Sequence, residues 1–395
     1  MNIGLVLNDV GPYHACRIEA AMQLGSLSVI DCGAQHSVGY ERVQGLPCRS
    51  IEVKALTRAA LGAALAAASP DVLAVPGWGS RAARLATTWA AENDVPLIVF
   101  SDNQKRPDGS PGRWYWAKRI LAGIYRAAVV AGTRHVMYMT RLGMPESAIF
   151  TGVDVVDNDY FARASEACRR DPAKLRRSLN LPTHYILAVN RLTAQKNIKG
   201  LIDSFELYSR RGCPGDLKLV IAGDGPLKES IAAHINSLGL EKEVFLFGAA
   251  DYSTLPILHG LADLFVLASR QETWGLVVNE AMASGLPVLV SSDCGCCNDL
   301  VEDGRNGFVF DPRDSSDLAG RFIEFGEGRH DLGSMCSASR EIISRWTPTR
   351  FADSLWKAAE IAASSDRRTP AKSRLLWGVL DRADRCMQLA RSSRR

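Results

Sequence analysis

Residues 263–291 read DLFVLASRQETWGLVVNEAMASGLPVLVS, and their pattern decides how the remainder of the chain is parsed. Two short apolar runs, 263–267 (DLFVL) and 287–290 (PVLV), flank a segment long enough for a turn and a helix. Continuous apolar runs of this length are what strands buried on both faces require, so the stretch reads as strand, turn, helix, strand with the strands parallel.

The same alternation extends outward. Runs at 185–190 (YILAVN), 217–222 (LKLVIA) and 243–247 (EVFLF) supply further strands before it, with helical stretches between them. In the first half, 3–7 (IGLVL), 71–75 (DVLAV), 96–100 (PLIVF) and 127–131 (AAVVA) alternate with Ala-, Leu- and Arg-rich stretches such as 55–68 and 79–92. The pattern breaks over the polar stretch 154–182 and then restarts. The expected fold is α/β, with two Rossmann-like doubly wound domains facing across a cleft. The expected boundaries are 1–160, a linker at 161–182, a second domain at 183–345, a crossover helix at 346–365 and a basic tail at 366–395.

Chemistry concentrates at the turns after strands. Between Glu272 and Glu280, the residues Thr273, Trp274, Gly275 and Leu276 fall where a helix begins. The first turn of a helix presents amides without intrahelical acceptors and about half a positive charge, so a diphosphate is a natural partner there. Glu280, a turn further on, suits the vicinal diol of a ribose, and Glu272 suits sugar hydroxyls beyond the distal phosphate. The run 189–197 (VNRLTAQKN) adds Arg191 and Lys196, a fork and a point charge for a leaving diphosphate, although loop cations alone are usually just solvated. Gly223-Asp224-Gly225-Pro226 reads equally as a donor-contacting turn, with Gly223 nearest the ligand, or as a tight turn with no ligand. The loop 291–297, with Cys294, Cys296 and Cys297, also ends a strand and reads either as donor cover or as a crowded loop.

Together VNRLTAQKN, IAGDGP, ETWGLVVNEAMASGLPVLVS and DLVEDGRNGFVF resemble the retaining glycosyltransferases of family 4, which have the GT-B fold. The likeness covers nearly all of 183–345. It implies transfer of a sugar from a nucleotide-diphosphate sugar to an acceptor hydroxyl with retention of configuration. It also implies catalytic roles for Arg191, Lys196 and Glu272, and donor contacts at Gly223, Thr273, Trp274, Gly275, Leu276 and Glu280. No cofactor beyond the co-substrate and no metal is implied.

The first half matches less specifically. His14 and Arg17 follow the first strand and are acceptor-side or phosphate contacts, or else His14 caps the helix that it begins. Relatives commonly place a His that touches the donor sugar after the strand ending at residue 100; here Asp102 or Asn103 would have to supply that contact. Lys105 and Arg106, with Arg113, Trp114, Tyr115 and Trp116 just beyond, read as an acceptor platform or as an anchor for the next helix.

Composition bounds the alternatives. Ten cysteines are scattered without a secretory pattern, so reduced thiols and a cytoplasmic location are expected. Residues 366–395 hold nine Lys/Arg against three Asp, whereas the whole chain is only +4. The body is therefore no nucleic-acid binder. The tail, with apolar positions 376, 380, 383 and 387 on one helical face, reads as a helix docked on the body, as a frayed end or as a peripheral contact with the inner face of a membrane. Expected partners are the nucleotide-sugar donor and a sugar or lipid-linked sugar acceptor. The competing functions are a nucleotide-sugar epimerase, for which no acid/base set stands out, and an inactive nucleotide-sugar-binding protein.

Overall fold

A computed structural model describes residues 1–8, 10–33, 45–104, 115–212, 216–365 and 377. The chain divides into two compact units, one formed by 1–155 with 348 onward and the other by 156–347.

The first unit is built on seven strands: β1 (Asn2–Leu7), β2 (Ser26–Asp31), β3 (Arg49–Glu52), β4 (Val72–Pro76), β5 (Leu97–Ser101), β6 (Ala127–Val130) and β7 (Ile149–Thr151). Its helices are α1 (Pro12–Met22), α2 (Arg58–Ala68), α3 (Arg81–Glu92), α4 (Tyr115–Ala122) and α5 (Thr133–Arg141). The strands are all parallel, in the order β3-β2-β1-β4-β5-β6-β7. Ile3, Leu73, Ile98 and Val129 have no exposed surface, which explains why β1, β4, β5 and β6 read as unbroken apolar runs.

The second unit opens with α6 (Asn158–Cys168) and α7 (Pro172–Leu179). It continues through β8 (Tyr185–Val189), α8 (Ile198–Arg211), β9 (Lys218–Ala222), α9 (Lys228–Ser237), β10 (Val244–Gly248), α10 (Leu255–Leu261) and β11 (Leu264–Leu267). Next come α11 (Leu276–Ala283), β12 (Val288–Ser291), α12 (Cys297–Leu300), β13 (Gly307–Phe310), α13 (Ser315–Gly326) and α14 (Leu332–Ile343). Its parallel sheet runs β10-β9-β8-β11-β12-β13. α15 (Pro348–Ser364) returns to the first unit, where Trp356 donates its indole N–H to the Ala21 carbonyl at 2.9 Å.

Both sheets reverse direction of growth once, between β1 and β4 and between β8 and β11. At such a reversal the loops leaving two adjacent strands part to opposite faces, and a ligand crevice opens at their carboxyl ends. That is where both groups of site residues fall.

The structure corrects the expected linker at 161–182. Asp157 caps α6 by accepting from the Tyr160 amide at 2.9 Å. Ser165 bonds the Pro256 carbonyl and the Ser284 hydroxyl, and Arg169 bonds the Ser284 carbonyl at 2.7 Å. Polar composition misled because these side chains satisfy buried backbone groups, which a solvated linker would not need to do. Of the basic tail, Trp377 alone is described: it is 1% exposed, donates to the Leu121 carbonyl at 3.3 Å and lies edge-on to Tyr125. The other residues of 366–395 lie outside the described residues.

Candidate functional site

In the second unit, the loop after β11 leads to Gly275, whose φ of +107° lies in the left-handed region. A Cβ there would stand 2.8 Å from Leu267 Cδ2, so both conformation and space require glycine. α11 starts at the next residue. Trp274 precedes this turn and is 2% exposed, its indole donating to Asn279 Oδ1 at 2.9 Å and its ring centroid 5.0 Å from that of Trp346. Its side chain fixes the turn from beneath, while Thr273 is exposed.

The loop after β8 reaches the same place. Residues 194–196 form a single 3-10 turn, and the Arg270 amide donates to the Gln195 carbonyl at 2.8 Å, tying the β8 and β11 loops together. The Lys196 ammonium pairs with Glu272 Oε2, which also accepts from the Ser269 hydroxyl at 3.2 Å. Both charged side chains are largely buried, at 23% and 14% exposed. Arg191 stands exposed at the mouth of the same loop. The structure thus brings together Lys196 and Glu272 just before the start of α11, with Arg191 in the same loop as Lys196.

Two other candidate residues have different surroundings. Gly223 has a φ of +141°, and a Cβ on it would stand 1.8 Å from the Asn190 carbonyl oxygen. Its place is decided by backbone packing of the β9 loop against the β8 loop, where the Leu192 amide also donates to the Asp224 carbonyl at 2.9 Å. Glu280 has no exposed surface, and its Oε2 lies 3.4 Å from His259 Nε2 on α10. The sequence reading placed this carboxylate at a ligand; the structure encloses it among helices and gives it a histidine partner.

The cysteine loop packs against the turn rather than standing apart. The amides of Gly295 and Cys296 donate to the carbonyls of Glu272 and Trp274, at 3.1 and 3.2 Å. Cys294 and Cys296 are fully buried, and burial pushes both thiols well above the usual range, with Glu272 adding to the effect. A thiol held protonated is neither a ready nucleophile nor a ready metal ligand. Among the described residues, no cluster of His, Cys, Asp and Glu has the arrangement to hold a metal ion.

Sequence reasoning missed Asn190, His259 and Ser269 as site residues. Asn190 is 6% exposed, and neither polar atom of its side chain has a hydrogen-bond partner. A buried amide without partners costs roughly 1–3 kcal/mol, so it marks a place where a ligand or water is owed. No sequence signal separates it from an ordinary strand-end asparagine. His259 sits within the apolar-looking LPILHGL of α10 and is found only by its proximity to Glu280.

The first unit carries its own cavity of about 400 Å³ at the β1/β4 reversal, lined by His14, Arg17, Trp78, Asp102, Asn103 and Asp154 among others. His14 Nδ1 accepts from the Gly11 amide at 3.3 Å, so it caps α1 and lines the cavity at once. Arg17 donates from Nε to the Tyr13 carbonyl at 2.8 Å and from Nη1 to the Val153 carbonyl, with its guanidinium over the Phe351 ring. Burial lowers its pKa, an effect that the Asp154 charge only partly offsets. Asp102 and Asn103 are exposed on the rim. Lys105, Arg106, Arg113 and Trp114 lie outside the described residues. Tyr115 and Trp116 do not line the cavity; the Tyr115 hydroxyl donates instead to the Arg141 carbonyl at 2.7 Å.

Residues 172–341 match the family model described as glycosyl transferases group 1. The chain is 34% identical over 163 residues to an alpha-D-kanosaminyltransferase of Streptomyces kanamyceticus, and 32% identical over 168 residues to a mannosylfructose-phosphate synthase of Agrobacterium fabrum. The first match covers 41% of each chain; the second covers 41% of this chain and 36% of the relative, so the chain spans about two-fifths of these curated relatives. Among solved structures, a glycosyltransferase from Rickettsia africae superposes with a TM-score of 0.70 at 18% identity, covering 92% of this chain and 99% of the other. Anabaena HepE, solved with UDP and glucose, gives 0.69 at 18% identity, covering 90% and 98%. The fold is that of GT-B glycosyltransferases, and the stretch that matches the glycosyl transferases group 1 model lies within the second unit.

Proposed function

We propose that the protein transfers a sugar from a nucleotide-diphosphate sugar to an acceptor hydroxyl, with retention at the anomeric carbon. The observation that carries the reading is the Lys196–Glu272 pair at the β8/β11 reversal, beside Arg191 and at the start of α11. A cation for the diphosphate and a carboxylate for sugar hydroxyls adjoin there.

In this reading Arg191 and Lys196 hold the diphosphate, and amides of 274–276 hold phosphate and sugar. Glu272 orients the sugar, and Glu280, buried against His259, supports α11 beneath the nucleotide side of the site. Gly223 keeps the loop beneath the donor closed. The acceptor oxygen bonds to the anomeric carbon as the bond from that carbon to the phosphate oxygen breaks. The departing phosphate takes the acceptor proton, and Arg191 and Lys196 stabilise the charge that develops. Stabilising charge where it appears is usually the largest catalytic term. The chemistry calls for neither a metal nor a cofactor when two cations and a helix terminus serve the phosphates.

The acceptor is a sugar or a lipid-linked sugar of polysaccharide or glycolipid synthesis, bound in the first unit's cavity through His14, Arg17, Asp102, Asn103 and Lys105. The protein works in the cytoplasm, with the basic tail meeting the inner membrane face. A screen of donor hydrolysis over purified nucleotide sugars tests the reading. Release of nucleotide from one or a few donors is expected; binding without any turnover, with or without acceptor sugars, would return it to a nucleotide-sugar-binding protein, and conversion of the donor to its epimer would return it to an epimerase.

A further inference from the structure

The loop after β4, from Gly77 to Ser80, forms one wall of the first unit's cavity, with Trp78 half-buried in it. The indole N–H groups of Trp274, Trp356 and Trp377 all donate to protein acceptors, whereas that of Trp78 has no partner among the described residues. Tyr125 does not line the cavity but holds this wall. Its ring centroid is 6.4 Å from that of Trp78, its hydroxyl donates to the Gly77 carbonyl at 3.4 Å, and the Thr87 hydroxyl on α3 lies 3.2 Å from it. Tyr125 is held in turn by the end of the chain. Trp377 meets its ring edge-on at 6.3 Å and donates to the Leu121 carbonyl at 3.3 Å, while Arg126 donates to the Ser365 hydroxyl at 3.2 Å. Residues 366–395 hold nine Lys/Arg against three Asp, yet Trp377 within them is 1% exposed. A tryptophan buried from so basic a stretch calls for a reason.

We propose that Trp377 is a positioning residue for the acceptor: it seats Tyr125, Tyr125 holds Gly77 and Trp78, and an acceptor sugar ring packs on Trp78. An aromatic side chain beside His14, Asp102 and Asn103 supplies an apolar surface with a few polar groups, which is the make-up of a small-molecule site and suits a pyranose ring with its hydroxyls. The free indole N–H of Trp78 adds a donor for one of those hydroxyls. Trp377 touches no ligand in this arrangement; it acts through packed rings, and loosening such a contact chain lowers affinity at its far end. The role of Trp78 rests on the cavity holding the acceptor, as proposed above. The contacts themselves lie wholly in the first unit and do not depend on the reaction.

The chain has eight tryptophans, so the full-length protein labelled with 5-fluorotryptophan gives eight fluorine resonances, and that of Trp78 is assigned by its loss in Trp78→Phe. Methyl α-glucoside, methyl α-mannoside and methyl α-galactoside serve as probes. At least one of them should shift the Trp78 resonance of the wild type. Trp377→Ala should move that resonance in the free protein and weaken binding of the same sugar by roughly 2- to 30-fold. Tyr125→Phe, which keeps the ring and loses the bond to Gly77, should weaken it as well. Trp377→Phe, which keeps an aromatic edge on Tyr125, should bind nearly as the wild type does. No shift of Trp78 by any probe, or wild-type affinity in Trp377→Ala or Tyr125→Phe, would overturn the proposal. Nucleotide release measured alongside separates the two claims. Sugar binding at Trp78 with no release from any donor would remove the transfer reading and leave the positioning role in place; release with no sugar at Trp78 would do the reverse.

Discussion

Lys196 and Glu272 are 76 positions apart and meet in one ion pair, so each neutralises the other. A diphosphate would draw the ammonium, and the freed carboxylate would face sugar hydroxyls. Lys196→Ala should therefore lower donor turnover by about 10²–10³-fold with a smaller effect on donor affinity, read from steady-state nucleotide release. Equal losses in turnover and affinity would count against a role in the developing charge. The His259–Glu280 contact makes a different demand. His259→Leu leaves a fully buried carboxylate without that partner, at a cost of roughly 1–3 kcal/mol. Lower melting temperature together with weaker nucleotide binding is expected. A variant that melts lower but binds nucleotide as the wild type does would leave His259 a packing residue alone. Residue type and spacing singled out Arg191, Lys196, Glu272 and Glu280 as candidates, and the structure pairs Lys196 with Glu272 while it buries Glu280 against His259. Asn190 and His259 were not singled out, because their importance lies in a missing partner and in proximity across the fold.

At the scale of the element, the strand–turn–helix of 263–291 was read correctly because each part has a local cause: strand burial on both faces, a left-handed glycine at the turn, an apolar helix behind it. β2, β3, β7 and β13 escaped the sequence reading. β3 and β7 are short and partly exposed, so they lack the apolar run that revealed the others. β13 presents only the four residues GFVF after a polar stretch. The second glycine of consequence, Gly223, is a backbone requirement that composition does not show. Gly223→Ala should destabilise the protein by about 3 kcal/mol or more, seen as a fall in melting temperature, since the new Cβ meets a backbone carbonyl as well as an unfavourable φ. A melting temperature unchanged from wild type would contradict the packing described for the β9 loop. The cysteine loop gives a third expectation: Cys294 and Cys296 should resist thiol reagents in the native protein at neutral pH and react only on unfolding. Rapid labelling of either in the folded state would contradict their burial.

For the whole molecule, two parallel sheets each carry candidate site residues near a reversal of strand order. The pairing of apolar runs with helical stretches announced two such sheets. The boundary between them was less legible, because α6 and α7 look polar yet bond buried groups of the second unit. The chain's return through α15 to the first unit is a property of packing, which no local pattern encodes. Likewise the family likeness spans 172–341, within the second unit, while the cavity of the first unit lies outside the matched stretch.

The central claim is that the second unit turns over a nucleotide-diphosphate sugar at Arg191, Lys196 and Glu272. Nucleotide release from a panel of such sugars, measured for the wild type, Arg191→Ala, Lys196→Ala and Glu272→Gln, tests it most directly. The account predicts a preferred donor for the wild type and losses on the order of 100-fold or more in the variants that fold. A wild type that releases nothing from any donor, with or without acceptor sugars, or variants that release as fast as the wild type, would contradict it.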